Sequence, residues 1–371
     1  MRILHISNYF YPHIGGIEQV ARDVINSLQG NEQKLICFNH EKGTKVDIVD
    51  GVEITRVGCQ AKISSQSIAM GYGKQLKKLL VEFKPELVIF HMPNPFVGHF
   101  LRKHLKRDFK LVLYWHLDII KQKFLKKFFK GQTLALLKRA DKIIATSPNY
   151  IEGSEFLPKF KDKCVVIPNC VYTDRFIMDE ASYAKAEEIR NKNKGKTICF
   201  AIGRHIPYKG MEYLVKASKF LDDNYKIYIG GKGPLTDSLK ELAEGDEKIE
   251  FIGRVSDEEL KGHYAACDIF CFPSITKNEA FGIALAEGMY FGKPAVTFTI
   301  PGSGVNYVNL NGETGIEVEN SNSEAFAEAI KKLAQDEELR NKLGEQAKKR
   351  VEENFLYDNF KNTIKDFVDK I

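Results

Sequence analysis

The chain has 371 residues, of which 43% are hydrophobic and 28% charged, and it carries a formal net charge of +6. This length exceeds what one hydrophobic core usually serves, so we expect two globular domains. No apolar run approaches the roughly 20 residues that cross a bilayer, and the first residues indicate a strand, so neither a membrane-spanning nor a secreted protein is expected. The seven cysteines are scattered without metal-ligand spacing, which predicts a reduced, cytoplasmic location.

The first predicted strand, residues 2–7, runs into a loop that contains Gly15 and Gly16, and an amphipathic helix follows at residues 17–28. Strand, glycine loop and helix are the opening of a doubly wound α/β domain. Two adjacent glycines allow positive φ and a close approach of the backbone to a ligand. The loop lacks the Gly-x-Gly-x-x-Gly fingerprint, which disfavours a nicotinamide-dependent oxidoreductase.

Further strand-like runs alternate with helical stretches, which predicts a mostly parallel sheet. These runs are residues 33–38, 52–57, 87–91, 110–115, 142–145 and 163–167. His116 comes directly after one of them, and polar residues at the carboxyl ends of parallel strands lie where open α/β sheets bind ligands. His116 is therefore predicted either to contact a ligand or to be a structural histidine. Asp118 is predicted either to orient His116 or to cap the helix that follows.

The positive charge is concentrated in residues 101–142, where thirteen Lys and Arg accompany three Asp. Within this stretch, residues 119–142 interleave lysines with Phe and Leu. One interpretation is a basic amphipathic helix that lies on an anionic membrane surface or binds a phosphorylated acceptor. The other is an ordinary surface helix whose apolar side chains face the core and whose lysines are solvated.

A second α/β half is predicted to begin with a strand at residues 197–202, after a charged tract, residues 179–196, for which we predict no regular structure. Arg204 and Lys209 follow that strand in a turn, and a helix is predicted at residues 211–221. An arginine fork and a lysine point charge at this spacing suit a diphosphate. The alternative is a pair of exposed loop cations.

Two carboxylates bracket a predicted turn from loop to helix, with Glu279 in the loop and Glu287 about two turns into the helix. The helix is predicted to begin near Phe281 or Gly282, and its unpaired N–H groups and macrodipole favour a phosphate there. Carboxylates repel phosphate but accept hydrogen bonds from hydroxyls. Two carboxylates on either side of a phosphate site therefore suit a ligand that has hydroxyl groups on both sides of a diphosphate. A nucleotide sugar is such a ligand. The alternative is a buried helix with Glu279 as an N-terminal charge and Glu287 on a solvated face.

The spacing Glu279-x7-Glu287, with Phe281-Gly282-Ile283 between, resembles the signature of the large GT4 family of retaining glycosyltransferases. That resemblance implies that Glu279 contacts hydroxyls of the donor sugar, that Glu287 holds the ribose hydroxyls, and that backbone amides of residues 281–283 meet sugar and phosphate. It extends to other parts of the chain. It implies diphosphate binding by Arg204 and Lys209, donor-sugar contact by His116, a phosphate and acceptor loop at Gly15 and Gly16, and a nucleoside pocket at Arg254 and Val255.

The resemblance also implies the GT-B fold, in which two Rossmann-like doubly wound domains face each other across a cleft. Residues 167–172 are similar to the family's interdomain crossing, with Cys170 in place of a glycine and Tyr172 in place of an aspartate. The implied domains are an acceptor-binding domain, residues 1–170, and a donor-binding domain, residues 171–354. A terminal helix, residues 355–371, is expected to return to the first domain.

The function that the resemblance implies is retaining transfer of a hexose from a nucleoside-diphosphate sugar to a glycan or lipid-linked acceptor of surface-polysaccharide synthesis. GDP-mannose is the first expectation for the donor and a UDP-sugar the second. Many other glycosyltransferases use an Asp-x-Asp metal clamp, which this sequence lacks, so no metal and no other cofactor is expected. We expect a cytoplasmic protein, peripheral on the inner face of the membrane if residues 119–142 bind lipid, and no nucleic-acid partner. The alternatives are a sugar-nucleotide epimerase, a phosphorylase or a non-catalytic sugar-nucleotide-binding protein.

Overall fold

The structure, a computed structural model, describes residues 1–12, 15–63, 66–118 and 123–371. The chain forms two compact units. The first comprises Met1–Ile167 and Phe360–Ile371, and the second comprises Pro168–Asn359. Both units are built of helices and a mostly parallel main sheet, as the alternating sequence pattern predicted.

The first unit contains an eight-stranded sheet in the order β10-β9-β8-β7-β1-β2-β4-β3 and a separate two-stranded sheet, β5-β6. Its strands are Arg2–Ile6 (β1), Glu32–Asn39 (β2), Lys45–Val49 (β3), Val52–Gly58 (β4), Ala61–Ile63 (β5), Gln66–Ile68 (β6), Leu87–Met92 (β7), Lys110–Trp115 (β8), Lys142–Ala145 (β9) and Cys164–Val166 (β10). Its helices are Gly16–Ser27 (α1), Tyr72–Glu82 (α2), Pro95–Arg102 (α3), Lys123–Arg139 (α4) and Pro148–Gly153 (α5). In the large sheet only the β3–β4 pair is antiparallel among the described strands.

The core of the first unit follows from the central position of β1 and β7. Ile6 of β1 lies beside Ile36 of β2 and Phe90 of β7, and all three side chains are buried. Every residue of β7 is buried, because a parallel sheet covered by helices on both faces has no solvated side. This is why these strands appear in the sequence as continuous apolar runs.

The second unit contains a six-stranded, fully parallel sheet in the order β13-β12-β11-β14-β15-β16. Its strands are Thr197–Ile202 (β11), Tyr225–Gly230 (β12), Ile249–Gly253 (β13), Ile269–Phe272 (β14), Ala295–Phe298 (β15) and Gly315–Val318 (β16). Its helices are Glu180–Lys192 (α6), Met211–Ala217 (α7), Thr236–Leu242 (α8), Asp257–Ala266 (α9), Ile283–Tyr290 (α10), Val305–Val308 (α11), Ser323–Gln335 (α12) and Glu337–Asn354 (α13). The terminal helix is Tyr357–Asp369 (α14), whose residues from Phe360 onward belong to the first unit. Counted within the unit, the strand order is 3-2-1-4-5-6, which is the order of a Rossmann fold.

The prediction of no regular structure at residues 179–196 is wrong, because α6 occupies most of this tract. The Asp179 carboxylate accepts a hydrogen bond from the Ser182 backbone N–H at 2.8 Å and so caps the helix. Only Ser182 and Ile189 of α6 are buried, so the sequence shows no apolar period. The helix forms because it packs closely on α9, where Gly262 leaves room for the Lys185 side chain.

Two other features of the first unit were not predicted, namely the edge strand β3 and the small β5-β6 sheet. The side chains of β3 are exposed or half-buried, so no buried stripe reveals it in the sequence. Of the basic segment, residues 119–122 lie outside the described residues. Most of the rest, residues 123–142, is the helix α4, and Leu136 and Leu137 are buried near its end. Within the described part of the chain, no helix is long and apolar enough to cross a membrane.

Candidate active site

The sheet of the second unit brings two loops together at one point. β11 and β14 are neighbours, yet the chain proceeds from β11 to β12 on one side and from β14 to β15 on the other. Open α/β sheets bind ligands at such a switch point, outside the carboxyl ends of the two strands. Arg204 and Lys209 follow β11 and Glu279 follows β14, so residues predicted from distant parts of the sequence share this position.

The loop after β11 is held against the loop after β14 by backbone contacts. The carbonyl of Tyr208 accepts a hydrogen bond from the Ile275 backbone N–H at 3.0 Å. Gly210 has a φ of +61°, and a Cβ atom there would collide with the carbonyl oxygen of Pro273. Only glycine combines this conformation with so close an approach. The two loops therefore form one rigid support for Lys209.

Lys209 and Glu279 form an ion pair between the two loops. Their side chains are 14% and 12% exposed, so the pair is largely screened from solvent. Ser274 donates a further hydrogen bond from its hydroxyl to Glu279 Oε2 at 3.1 Å. Arg204 is exposed, and its guanidinium group makes no hydrogen bond or ion pair with the described residues. The cation and carboxylate predicted to bind different parts of a ligand thus bind each other.

The helix α10 begins where the sequence predicted, with Gly282 as its N-cap residue. Gly282 has a φ of +92°, and a Cβ atom there would lie 3.3 Å from the Phe272 ring. No described residue accepts a hydrogen bond from the backbone N–H groups of Phe281, Gly282, Ile283 or Ala284. The Phe281 ring is buried against Phe355, so only its backbone is available to a ligand. The turn therefore leaves unpaired N–H groups where the sequence predicted them, and their role in binding an anion stays a prediction.

Glu287 lies one turn into α10 and is 8% exposed, which rules out the alternative of a solvated helix face. Arg175 Nη1 lies 3.3 Å from Glu287 Oε1, and the Tyr264 hydroxyl donates to Oε2 at 2.9 Å. Burial raises the pKa of Glu287 above its ordinary value, although Arg175 and Tyr264 act in the opposite direction. A buried carboxylate with two fixed donors is oriented rather than free to turn.

Arg254 and Val255 follow β13, the strand at the edge of the second unit's sheet. Arg254 is exposed and Val255 half-buried. The turn after the neighbouring strand is tied to this edge, because the Gly231 backbone N–H donates to the carbonyl of Gly253 at 2.6 Å. Two strands, β12 and β11, lie between β13 and β14, and the nucleoside role of Arg254 and Val255 stays a prediction.

In the first unit, Gly15 and Gly16 begin the helix α1. Gly15 is its N-cap residue, and a Cβ atom there would collide with the Glu18 carboxylate, whereas a Cβ at Gly16 would meet open space. Burial raises the pKa of Glu18, while a hydrogen bond from the Tyr9 backbone N–H lowers it. The Glu18 carboxylate thus faces the loop after β1, which contains Tyr9 and Gly15. Residues 13–14 of this loop lie outside the described residues.

His116 belongs to a group of buried histidines at the carboxyl ends of β1, β7 and β8. His116 Nε2 lies 2.9 Å from His91 Nδ1, and His5 Nε2 lies 2.9 Å from Gln33 Oε1. Burial lowers the pKa of His116 from 6.5 to about 3 and that of His5 to about 4. His116 is therefore a neutral imidazole at pH 7. It offers hydrogen bonding to a ligand, but no positive charge.

The described contacts of Asp118 are not the ones that the sequence predicted, and residues 119–122, which follow it, lie outside the described residues. Its carboxylate accepts from the Trp115 indole at 3.0 Å, the Ser154 hydroxyl at 2.8 Å and the Glu155 backbone N–H at 3.1 Å. The Tyr150 hydroxyl accepts from the backbone N–H of Asp118 at 2.7 Å. Asp118 therefore joins the end of β8 to α5 and the segment after it.

Two family models match the chain, one described as Glycosyltransferase Family 4 over residues 14–175 and one described as Glycosyl transferases group 1 over residues 183–350. The O-antigen chain mannosyltransferase C of Escherichia coli is 30% identical over 363 residues, which cover 96% of this chain and 95% of that protein. The D-rhamnosyltransferase WbpZ of Pseudomonas aeruginosa is 31% identical over 362 residues, which cover 96% and 92%. The chain belongs to the GT4 family of glycosyltransferases.

The solved structure of HepE from Anabaena in complex with UDP-glucose has the same fold as this GT4 protein. The superposition of the two structures covers 100% of each chain, with a TM-score of 0.78 at 16% sequence identity. The GT-B fold expected from Glu279, Glu287 and the residues between them is therefore confirmed, as is the resemblance to the family.

Three residues that contact the predicted site residues of this GT4 protein were missed by sequence reasoning, namely Arg175, Tyr264 and Ser274. Ser303 donates from its hydroxyl to the backbone carbonyl of Glu279, and so attaches the loop after β15 to the site. Arg175 follows the crossing motif directly, and Ser274 lies in the loop that carries Glu279, so proximity to the motifs was a signal for both. Tyr264 lies 23 residues before its partner Glu287, and no local pattern connects them.

Proposed function

We propose that this GT4 protein transfers a hexose, with retention of anomeric configuration, from a nucleoside-diphosphate sugar to a glycan or lipid-linked acceptor of surface-polysaccharide synthesis. The observation that carries the proposal is the switch point of the second unit. There Lys209 pairs with Glu279, and the N–H groups at the start of α10, a few residues after Glu279, have no acceptor among the described residues. Cations and N–H groups for a diphosphate, with carboxylates for hydroxyls on either side, suit a nucleotide sugar.

GDP-mannose is the first donor to test and a UDP-sugar the second. The E. coli relative is named a mannosyltransferase of the O-antigen chain, which favours a mannose donor and a polysaccharide acceptor. The P. aeruginosa relative is named a D-rhamnosyltransferase, and D-rhamnose is 6-deoxy-D-mannose, so both names point to manno-configured sugars. HepE binds UDP-glucose in the same fold, which keeps UDP as the second base.

The proposed chemistry uses the residues in the roles that the resemblance implied. Arg204, Lys209 and the N–H groups of residues 281–283 stabilise the charge that develops on the departing diphosphate. Lys209 exchanges its partner Glu279 for phosphate, and Glu279 then accepts from hydroxyls of the sugar. The acceptor hydroxyl attacks from the face that the diphosphate leaves, and its proton passes to the leaving phosphate oxygen. His116, Gly15 and Gly16 contact the sugar and phosphates, and Arg254 and Val255 the nucleoside.

Peripheral membrane binding through residues 119–142 is a separate part of the proposal. The basic charge around α4 suits an anionic lipid surface, and a lipid-linked acceptor resides at such a surface. Sedimentation with vesicles that contain anionic lipid, compared with neutral vesicles, measures this binding. Equal sedimentation with both kinds of vesicle contradicts it.

The test of the function is calorimetric titration with GDP, UDP, GDP-mannose, UDP-glucose and NAD, followed by turnover with synthetic lipid-linked oligosaccharide acceptors. We expect one nucleoside diphosphate and its sugar to bind and the sugar to be transferred. The anomeric configuration of the product, read by NMR, must then equal that of the donor. A product of opposite configuration contradicts retention, and binding of NAD alone contradicts the whole proposal.

A further inference from the structure

Arg175 connects two acidic side chains of the second unit through one guanidinium group. It lies in the short helix Thr173–Phe176, and its Nη1 is 3.3 Å from Glu287 Oε1. Its Nε and Nη2 lie 3.2 Å and 2.8 Å from Asp257 Oδ1. Asp257 is the first residue of α9, whose start is fixed by a capping box between Ser256 and Glu259. Asp257 therefore fixes the position of the guanidinium group beside Glu287.

The Glu287 carboxylate has acceptor capacity left after these contacts. An ionised carboxylate has about four acceptor positions, two on each oxygen. The described residues use one on Oε1, for Arg175, and one on Oε2, for Tyr264. One position remains on each oxygen. Two acceptors side by side match two neighbouring hydroxyl groups, such as the 2′ and 3′ hydroxyls of a ribose.

The carboxylate accepts from both hydroxyls only while it is ionised. Burial raises the pKa of Glu287, and the groups that face it act in both directions. Arg175, the Tyr264 hydroxyl in α9 and Lys209 in the loop after β11 lower it, whereas Asp257 raises it. Arg175 is the foremost of the groups that favour the ionised form. Without it, the buried carboxyl group shifts towards protonation at neutral pH.

We propose that Arg175 is a positioning residue that keeps Glu287 ionised and oriented to hold the ribose of the nucleotide donor. The inference rests on the proposed function, because it needs a nucleotide in the second unit. It assigns Arg175 no contact with the substrate. The effect of Arg175 is expected in the affinity for ribose hydroxyls, and it must depend on pH.

The experiment compares nucleotides with and without the 2′ hydroxyl, because only the Glu287 contact differs between them. GDP and 2′-deoxy-GDP, with UDP and 2′-deoxy-UDP in parallel, are titrated into wild-type protein and Arg175→Ala at pH 6, 7 and 8. A hydrogen bond to a charged group predicts that wild type prefers the ribonucleotide about tenfold at pH 7. In Arg175→Ala the preference should fall to about twofold and recover as the pH rises, because deprotonation restores the carboxylate. Arg175→Lys keeps the charge and should retain part of the preference.

Arg190→Ala is the matched control. Arg190 binds Asp268 through Nη1 and Nη2 at 3.1 Å and 2.8 Å in the same unit. Its side chain is 43% exposed, against 44% for Arg175. Arg190 has no contact with Glu287. Its removal should leave the ribose preference unchanged, and thermal unfolding of both variants checks that they are folded.

Each outcome separates this inference from the proposed function. A preference in wild type that Arg175→Ala loses and high pH restores supports the positioning role. An equal preference in wild type and Arg175→Ala overturns the role of Arg175 and leaves the nucleotide site intact. A loss that pH does not restore also overturns it, because a purely structural contact has that effect. If wild type binds nucleotides without any preference for the ribonucleotide, the ribose lies elsewhere and the inference is overturned. If wild type binds no nucleotide at all, the proposed function itself is contradicted.

Discussion

Replacement of Lys209 by alanine should separate activity from stability in this protein. The ion pair between Lys209 and Glu279 is largely but not fully buried, because the Lys209 side chain is 14% exposed and the Glu279 side chain 12% exposed. Exposed pairs contribute up to about 1 kcal/mol, and removal of one partner of a buried pair costs about 3–5 kcal/mol. We therefore expect Lys209→Ala to lower the free energy of unfolding by about 1–2 kcal/mol, because Ser274 still donates to the remaining carboxylate.

The expected loss of activity is larger, because Lys209 is proposed to neutralise the departing diphosphate. Removal of one group that stabilises transition-state charge typically costs a factor of about 10² to 10³ in kcat. The assay is transfer from radiolabelled GDP-mannose or UDP-glucose to a synthetic acceptor, with unfolding by denaturant measured on the same samples. A large fall in kcat with a small fall in stability is the expected combination.

Lys248→Ala is the matched control for this substitution. Lys248 pairs with Asp246 at 3.0 Å in the same unit, and the two side chains are 17% and 15% exposed. The two variants should lose similar stability, and only Lys209→Ala should lose activity. Turnover of Lys209→Ala within threefold of wild type refutes the reasoning, as does an equal loss of activity in Lys248→Ala.

Three further predictions concern the glycine support, the buried histidines and metal dependence. Gly210→Ala combines a strained φ with a collision against Pro273 and should lower the unfolding free energy by at least about 2 kcal/mol. Gly195→Ala is the control, because Gly195 has a φ of +78° but open space around it, and it should lower the unfolding free energy by only about 1 kcal/mol. Equal losses in the two variants, measured by denaturant unfolding, would contradict a collision at Gly210. The depressed pKa values of His5 and His116 mean that the folded state resists protonation, so stability should fall as pH drops from 6.5 towards 4, by about 1.4 kcal/mol per pH unit and histidine. In His116→Gln the unfolding free energy, measured between pH 7 and 4, should depend less steeply on pH, because one buried histidine is gone. An unchanged slope would contradict the depressed pKa of His116. Turnover should be the same within about twofold in EDTA and in Mg²⁺, since no Asp-x-Asp pair is present, and activity lost to EDTA and restored by Mg²⁺ would reverse that expectation.

The sequence determined the elements and the chemistry that depend on local pattern. The strands of the large sheet in the first unit, except β3, and the strand β11 were predicted because parallel strands buried on both faces are continuous apolar runs, as in β7. The start of α10 was predicted from Gly282 and the residues before it, because turn and cap chemistry acts over a few residues. Spacing and charge made Glu279, Glu287 and Lys209 candidate site residues, and the family resemblance implied their roles. Comparison with known proteins confirmed the family that this spacing indicated.

Tertiary structure alone decided which of these residues meet and in which state. Lys209 and Glu279 lie 70 positions apart in the sequence, and only the adjacency of β11 and β14 makes them partners. Tyr264 and Arg175 reach Glu287 from other elements, so its burial and raised pKa have no local signal. The helix α6 was missed because its stability comes from packing on α9 and not from an apolar period of its own. Local pattern specifies elements through short-range hydrogen bonding and burial, whereas charge state and partner choice depend on contacts that the fold brings together over long sequence separations.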